Sequence, residues 1–439
     1  MQTINQQIKP MTTKINQAGN IEIGGCDLVE LAKKHGTALY VMCEQTLRTI
    51  AQQYRNAFSK YPKVKMTFAS KALMVSAVAK ILHSEGFGFD AVSGGEICTV
   101  KNAGVDMASV TFNGNNKSLE ELELSLDLGV GRISVDNFHE IELLDKLSVQ
   151  KGIKQKIMLR ITPGIECHTH EYIQTGHLDS KFGFDLTQID CAIEVIKNAK
   201  NLELVGLHAH IGSQIFETKV FHDEIDVLMK ETARIKEVHS IELCEMNIGG
   251  GLGITYTKED CPPSVFEIAD IIIGQIEKNV QKYNIEPPTL YIEPGRSIVG
   301  TAGITLYAIG SSKQVPKGRK YITIDGGMSD NSRPIMYGAQ YSAEIVQQKS
   351  SNSPEKVRVA GKHCESGDIL IEEIELNAPI AGDLLVVYNT GAYNYSMSSN
   401  YNRILKPAMV LVNNAQSDII VKRETYEDLI RNDVIPSRL

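Results

Sequence analysis

Lys71 stands at the end of the apolar run Lys65–Ala69 and before an apolar helical stretch, Val75–Leu82. A cation there is poorly solvated unless it has a task. An imine to an aldehyde cofactor would use the amine and remove its charge cost; a strand-end lysine reaching solvent is the commoner case. Gly249-Gly250-Gly251-Leu252-Gly253 follows the run Glu245–Ile248. Consecutive glycines let backbone N–H groups converge on an anion without Cβ obstruction. It is not a dinucleotide fingerprint, because Ile254 occupies the last glycine position, and no Lys-Ser/Thr follows to make a nucleotide-phosphate loop. A tight turn is the other reading. His208-Ala209-His210 puts two imidazoles on one face of a strand. Metal-dependent hydrolase barrels hold metals this way, but they want further ligands at other strand ends. His168, His170 and His177 fall in a loop instead, and His208 reads as a satisfied core histidine. Cys364-Glu365-Ser366-Gly367-Asp368 gives a thiol polar company. That suits an acid that yields a proton, or a structural cysteine.

These groups need elements to position them. From about residue 38 to 300, short apolar runs alternate with amphipathic stretches. The runs are Ala38–Met42, Lys65–Ala69, Gly88–Val92, Ser109–Phe112, Arg132–Val135, Lys156–Ile161, Leu204–His210, Glu245–Ile248 and Leu290–Ile292. Strands alternating with helices predict a parallel sheet, and this length suits a (β/α)8 barrel. Nine runs exceed the eight strands of a barrel, so Ala38–Met42 is expected to join another sheet. Past residue 305 strand-like runs continue without helices, which predicts an antiparallel β domain. The expected division is 1–36 lending strands to the β domain, 37–304 forming the barrel, and 305–439 forming the β domain. Gln347–Glu355 reads as a loop. Barrel chemistry sits at the C-terminal ends of strands. Polar residues stand there: Ser70-Lys71, Asp90 leading to Glu96, Arg160, His208 to Ser213, the glycine run, and Glu293-Pro294-Gly295-Arg296.

Composition excludes several classes. The chain has 439 residues, 42% hydrophobic and 22% charged, which is a globular balance. Lys+Arg 45 against Asp+Glu 53 gives 45 − 53 = −8, so no nucleic-acid partner is expected. No apolar run is long enough for a membrane span. The polar start, Met1–Lys14, predicts no secretory leader and a cytoplasmic protein. Eight cysteines include no C-x-x-C pair, so neither a zinc ribbon nor a disulfide scaffold is expected, and most read as small buried residues.

Ten segments in order carry a resemblance: F-A-S-K-A-L, F-D-A-V-S-G-G-E, R-I-T-P-G, T-G-H-L-D-S-K-F-G, H-A-H-I-G-S-Q-I, N-I-G-G-G-L-G-I, E-P-G-R-S-I-V, S-R-P-I-M-Y, C-E-S-G-D and G-A-Y-N-Y-S-M-S-S-N-Y-N. From about residue 30 to the end the chain resembles the diaminopimelate decarboxylases, within the alanine-racemase-like enzymes that use pyridoxal 5'-phosphate (PLP). The resemblance implies a PLP-binding barrel plus a β domain. It implies that Lys71 carries PLP. Gly249, Gly250, Gly251 and Ser213 would bind its phosphate, with backbone from the Glu293, Pro294, Gly295, Arg296 turn. His210 would lie against the pyridine ring and Glu293 would face its nitrogen, with Asp90, Glu96 and Arg160 as supporting groups. Cys364 would give the proton to the α-carbon. Arg296, Arg333 and Tyr337 would hold the substrate's distal carboxylate, and Glu365 its distal ammonium. Tyr393 would touch cofactor and substrate. The resemblance also implies a homodimer, with Cys364 and Glu365 reaching the site from the partner chain.

There are two departures. Lys362-His363 stands where the family has a small or apolar pair, and Asp325-Gly326-Gly327 where Asp-Ala-Gly is common. The expected activity is decarboxylation of meso-2,6-diaminopimelate to L-lysine and CO2, the last step of lysine biosynthesis. Alternatives are a PLP-dependent decarboxylase of another basic or diamino acid (ornithine, arginine or carboxynorspermidine), a non-catalytic PLP-fold regulator, and a metal-dependent hydrolase on His208 and His210.

Overall fold

The computed structural model describes residues 3–165, 180–347 and 353–439. The chain divides into two compact units. The first comprises Met1–Gln6, Arg48–Ile254 and Cys261–Ile298; the second comprises Gln7–Leu47, Thr255–Asp260 and Val299–Leu439.

The first unit is a closed parallel barrel. Its strands are Val64–Ala69, Gly88–Ala91, Val110–Phe112, Arg132–Val135, Gln155–Thr162, Leu202–His208, Glu245–Asn247 and Thr289–Ile292. Each pairs in parallel with the next, and Leu290 opposite Val64 closes the ring. These strands are buried on both faces, so they read as continuous apolar runs rather than alternating ones. Four of the described helices between them start on side-chain caps. Ser118 with Glu121 and Ser264 with Glu267 form reciprocal capping boxes, and Ser93 and Asn137 accept the backbone N–H of Glu96 and Glu140. Those caps fix where four of the strand-to-helix loops end, and such loops are where the barrel carries its polar groups.

The second unit holds a mixed sheet. Its order is Ile369–Asn377, Pro354–Ala360, Lys320–Ile324, Gly303–Gln314, Leu39–Cys43, Ala408–Asn413 and Gln416–Val421. Leu384–Tyr388 also pairs with Gly303–Gln314, and Ala343–Ile345 pairs with Leu384–Tyr388. Most pairings are antiparallel, but Lys320–Ile324 with Pro354–Ala360 and Leu39–Cys43 with Ala408–Asn413 are parallel. The run expected to leave the barrel does so: Leu39–Cys43 is buried at every residue between two strands of this sheet. That pairing moves the boundary from residue 36 to Leu47, and the late boundary falls after Ile298 rather than at 304.

Other expectations need correction. The N-terminal strands Lys14–Ile15, Ile21–Ile23 and Cys26–Asp27 form their own small sheet. Ile21, Ile23 and Leu28 pack into one apolar core with Leu306, Val410 and Val412. The strand ending the H-A-H motif stops at His208, so His210 lies beyond it. Ala343–Ile345 and Ile369–Asn377 are additional strands. Glu372 and Glu373 are both exposed, and the register slips opposite them, which hides the second strand's alternation. Helix does not vanish after 305: Arg333–Tyr337 and Tyr426–Ile430 are short helices. Pro354 begins a strand inside the segment read as a loop. Cys26 and Cys43 are buried, but Cys98, Cys191, Cys244, Cys261 and Cys364 are exposed, so most of the described cysteines are not core residues. His168, His170, His177 and Cys167 lie outside the described residues.

Candidate active site

The end of the Val64–Ala69 strand turns into a single helical turn, Ser70–Ala72, which sets Lys71 at the barrel rim. Around it the neighbouring strands deliver acids, imidazoles and a guanidinium. Asp90 is buried on the next strand and takes a hydrogen bond from the Asn113 amide. Burial raises its pKa, and the Lys71 ammonium is the largest influence drawing it down. Glu96 sits in the first turn of its helix and accepts the Val92 N–H at 2.8 Å. Burial pushes Glu96 up to about 7, against that hydrogen bond and with the Asp90 charge adding.

Arg160 is buried, with its guanidinium 4.2 Å from the Phe182 ring centroid and 3.6 Å from Asp136. Burial lowers its pKa, and Asp136, Glu293 and Asp90 hold it up. Lys117 and Glu140 form a buried pair at 2.7 Å close by, and both carry pKa values moved toward neutrality by burial. The barrel rim is therefore a dense buried charge network rather than a solvated surface.

Glu293, past the last barrel strand, is the centre of a second set of contacts. Asn247 Nδ2 donates to its carboxylate at 2.6 Å, and Asn247 Oδ1 accepts the Gly249 N–H at 2.8 Å. The Glu293 N–H in turn donates to the Gly249 carbonyl at 2.6 Å. His208 Nε2 lies 3.6 Å from Glu293, while its Nδ1 meets the Ser134 hydroxyl at 2.8 Å. Burial raises the Glu293 pKa, Asp90 raises it further, and Asn247 and Lys71 pull it down. Burial also lowers both His208 and His210 well below the usual histidine value, with the Lys71 and Arg160 charges adding, so both rings are neutral.

The glycine run is packed too tightly for side chains. A Cβ on Gly249 would lie 2.6 Å from His210 Nδ1, and one on Gly251 would lie 2.7 Å from the Gly212 carbonyl oxygen. At Gly250 it would run into the Glu293 carbonyl oxygen. Gly249 and Gly251 also have φ of +62° and +114°, which an L side chain resists. The Gly250 N–H points to His210 Nδ1 at 3.3 Å, and the Arg296 guanidinium donates to Ser213 Oγ at 2.9 Å. The turn bearing Pro294 and Gly295 is fixed to the lysine strand, since the Pro294 carbonyl accepts the Ala69 N–H.

These residues fit an aldehyde cofactor with a phosphate and a basic ring nitrogen. Ser70 Oγ and His208 Nε2 are buried without a hydrogen-bond partner. The glycines leave room for backbone to approach an anion. A buried carboxyl group whose pKa burial raises, as at Glu293, can share a proton with a ring nitrogen. Among the described residues no group of three or more His, Cys, Asp or Glu side chains is placed to hold a metal ion.

The second unit carries the remaining candidates. Arg333 begins a short helix and is buried; its Nε donates to the Tyr341 hydroxyl at 3.0 Å. Its guanidinium lies 5.5 Å from the Tyr337 ring centroid and 5.4 Å from that of Tyr393. Those three predicted residues therefore come together. Cys364 and Glu365 share a different loop, both exposed, with the Cys364 N–H donating to Asn402 at 2.9 Å.

The sequence reading missed several members. His208 is buried, as a core histidine would be, but it faces Glu293. Asn247, Ser134 and Asn113 were not singled out. Each is a polar residue inside or just past an apolar barrel strand, which is the signal that could have found them.

Comparison with known proteins places the chain in a family. Residues 47–300 match the family model described as "Pyridoxal-dependent decarboxylase, pyridoxal binding domain". The chain is 49% identical to a diaminopimelate decarboxylase of Synechocystis, over 99% of this chain and 94% of that one. It is 45% identical to that of Bacillus subtilis, over 96% and 97%. Its fold superposes with TM-score 0.93 on a diaminopimelate decarboxylase from M. jannaschii in co-complex with L-lysine, at 35% identity, covering 99% of this chain and all (100%) of that one. A lysine/ornithine decarboxylase from Vibrio vulnificus, at 22% identity and TM-score 0.75, shares the fold. With its barrel, its lysine and its full-length likeness to these relatives, the chain belongs to the diaminopimelate decarboxylase family of PLP-dependent decarboxylases.

Proposed function

We propose that this chain removes CO2 from meso-2,6-diaminopimelate to give L-lysine, the last step of lysine biosynthesis. The observation that carries the reading is Lys71 at a barrel strand end, ringed by Asp90, Glu96, Glu293 and two neutral histidines. Lys71 would hold PLP covalently. Gly249, Gly250, Gly251 and Ser213 would receive the phosphate, with Pro294, Gly295 and Arg296 closing that end. His210 would lie against the ring and Glu293 at its nitrogen, with Asp90 and Arg160 balancing charge. Bound there, the cofactor supplies an electron sink for the pair left when the carbon–carboxylate bond breaks.

The protein's own groups do the rest. Arg296, Arg333 and Tyr337 would hold the distal carboxylate, a role suited to the planar guanidinium fork. Glu365 would take the distal ammonium and Tyr393 would line both. The Cys364 thiol would give its proton to the carbon that lost CO2, leaving a thiolate that regains a proton from water. A cytoplasmic location fits the free cysteines of the described residues and the lack, among them, of any helix able to cross a membrane. The test is CO2 release by purified protein plus PLP from a panel of amino acids. Diaminopimelate should be turned over and lysine, ornithine and arginine barely; preference for one of those three would refute the assignment.

The working unit we propose is a homodimer with composite sites. Cys364 and Glu365 belong to the second unit and Lys71 to the first, and a two-fold dimer makes two equivalent sites from both chains. Mixing Lys71→Ala chains with Cys364→Ala chains, each nearly inactive, should restore about a quarter of native activity once subunits exchange at random. Demonstrated exchange without recovery would mean that each site is built within one chain.

A further inference from the structure

Cys364 is exposed, so packing does not set the position of its thiol. The backbone must, and the surrounding contacts show how. Asp368 Oδ2 accepts both the His363 N–H at 2.9 Å and the His363 ring Nδ1 at 2.7 Å, while Oδ1 accepts the Met328 N–H at 2.7 Å. The turn between them is closed by its own backbone: Glu365 N–H to the His363 carbonyl at 2.8 Å, and Asp368 N–H to the Glu365 carbonyl at 3.1 Å. Both ends of the Cys364-Glu365 turn are therefore tied to one carboxylate. The His363 ring is buried and lies parallel to Tyr401, with centroids 5.9 Å apart and planes 7° apart. The residue after Tyr401, Asn402, accepts the Cys364 N–H.

The space for this clamp is made by glycine. A Cβ on Gly327 would lie 2.5 Å from the Asp368 carboxylate and 2.7 Å from His363 Nδ1. The Lys362 N–H donates to the Gly326 carbonyl at 2.9 Å, so the two places where this chain departs from its family pattern touch each other. A buried imidazole bonded to a buried carboxylate is costly to place and costly to break, because either partner alone is left desolvated. A residue that only filled space here would be apolar.

We propose that His363 is a positioning residue: held by Asp368 and Tyr401, it fixes the backbone that presents the Cys364 thiol and the Glu365 carboxylate. The proposal rests on the reading of Cys364 as proton donor, and its test separates the two. Amide hydrogen exchange over residues 361–368 reads the clamp without turnover. His363→Ala should speed exchange there on the order of tenfold. His363→Asn, whose amide can donate from the Nδ1 position, should restore most of the protection. His363→Gln, whose amide reaches the Nε2 position instead, should not, and it replaces the alanine variant if that one fails to fold.

Kinetics then read the consequence. With a loosened donor, His363→Ala should lower kcat by about 10–100-fold, and the loosened Glu365 carboxylate should raise KM for diaminopimelate by roughly several-fold. Run in D2O, the native enzyme should place its single deuterium at one stereochemical position on the new methylene of lysine, and His363→Ala should give a mixture of the two singly labelled forms. Native exchange protection in His363→Ala or His363→Gln overturns the proposal, and so does an asparagine variant as poor as alanine. Loosened exchange in a protein whose native form releases no CO2 from diaminopimelate would leave the clamp standing and remove the proposed reaction.

Discussion

Lys71→Ala will abolish the visible absorbance band of the lysine-bound imine and lower CO2 release by about 10⁴-fold or more, as loss of a covalent catalytic group does. The size of the effect follows from the surroundings. Asp90 and Glu293 are buried acids and Glu96 a half-buried one, and all three feel the Lys71 charge. Removing the amine takes away both the attachment point and the cation that offsets them. Lys71→Arg keeps the charge but cannot form the imine, so it should restore stability without restoring turnover. Steady-state CO2 release and thermal unfolding of both variants check this. Turnover by Lys71→Arg above one-tenth of native would remove the lysine from its role.

Arg333→Ala should lower kcat/KM for diaminopimelate by about 2–5 kcal/mol, the cost of leaving a desolvated charge unpaired. The native enzyme should discriminate against lysine and ornithine for the same reason, because they lack the distal carboxylate and strand a buried guanidinium. Arg333 is 7% exposed and lies between two tyrosine rings, with Tyr341 taking its Nε. Lysine does not reproduce that stacked, forked geometry, so Arg333→Lys should recover little. Rates for diaminopimelate and lysine with native, alanine and lysine forms settle it. Equal turnover of the two substrates by the native enzyme contradicts the assignment.

Much of this was legible in the chain because a parallel barrel writes itself as apolar runs with polar residues at their ends. Lys71, Asp90, Arg160 and Glu293 stand at such ends, and each was found by position. Leu39–Cys43 was recognisable as surplus to the barrel, though its strand neighbours were not. What stayed hidden depends on contacts between distant residues. His208 looks like a core histidine because its burial and its Ser134 hydrogen bond are those of one; only the proximity of Glu293 shows otherwise. Asn247 sits in a short strand beside a more conspicuous glycine run, yet it joins that run to Glu293. Ile369–Asn377 lost its alternation to two adjacent glutamates at a register slip. His363 was visible only as an oddity before Cys364, since its meaning lies in Asp368, Met328 and Tyr401.

The central claim is that the chemistry is built on Lys71 in the barrel. Borohydride reduction of the PLP-loaded protein followed by peptide mapping tests it most directly. The account predicts a pyridoxyl label on the peptide containing Lys71 and on no other. A label on a different lysine, or a loaded protein that cannot be labelled at all, would contradict it.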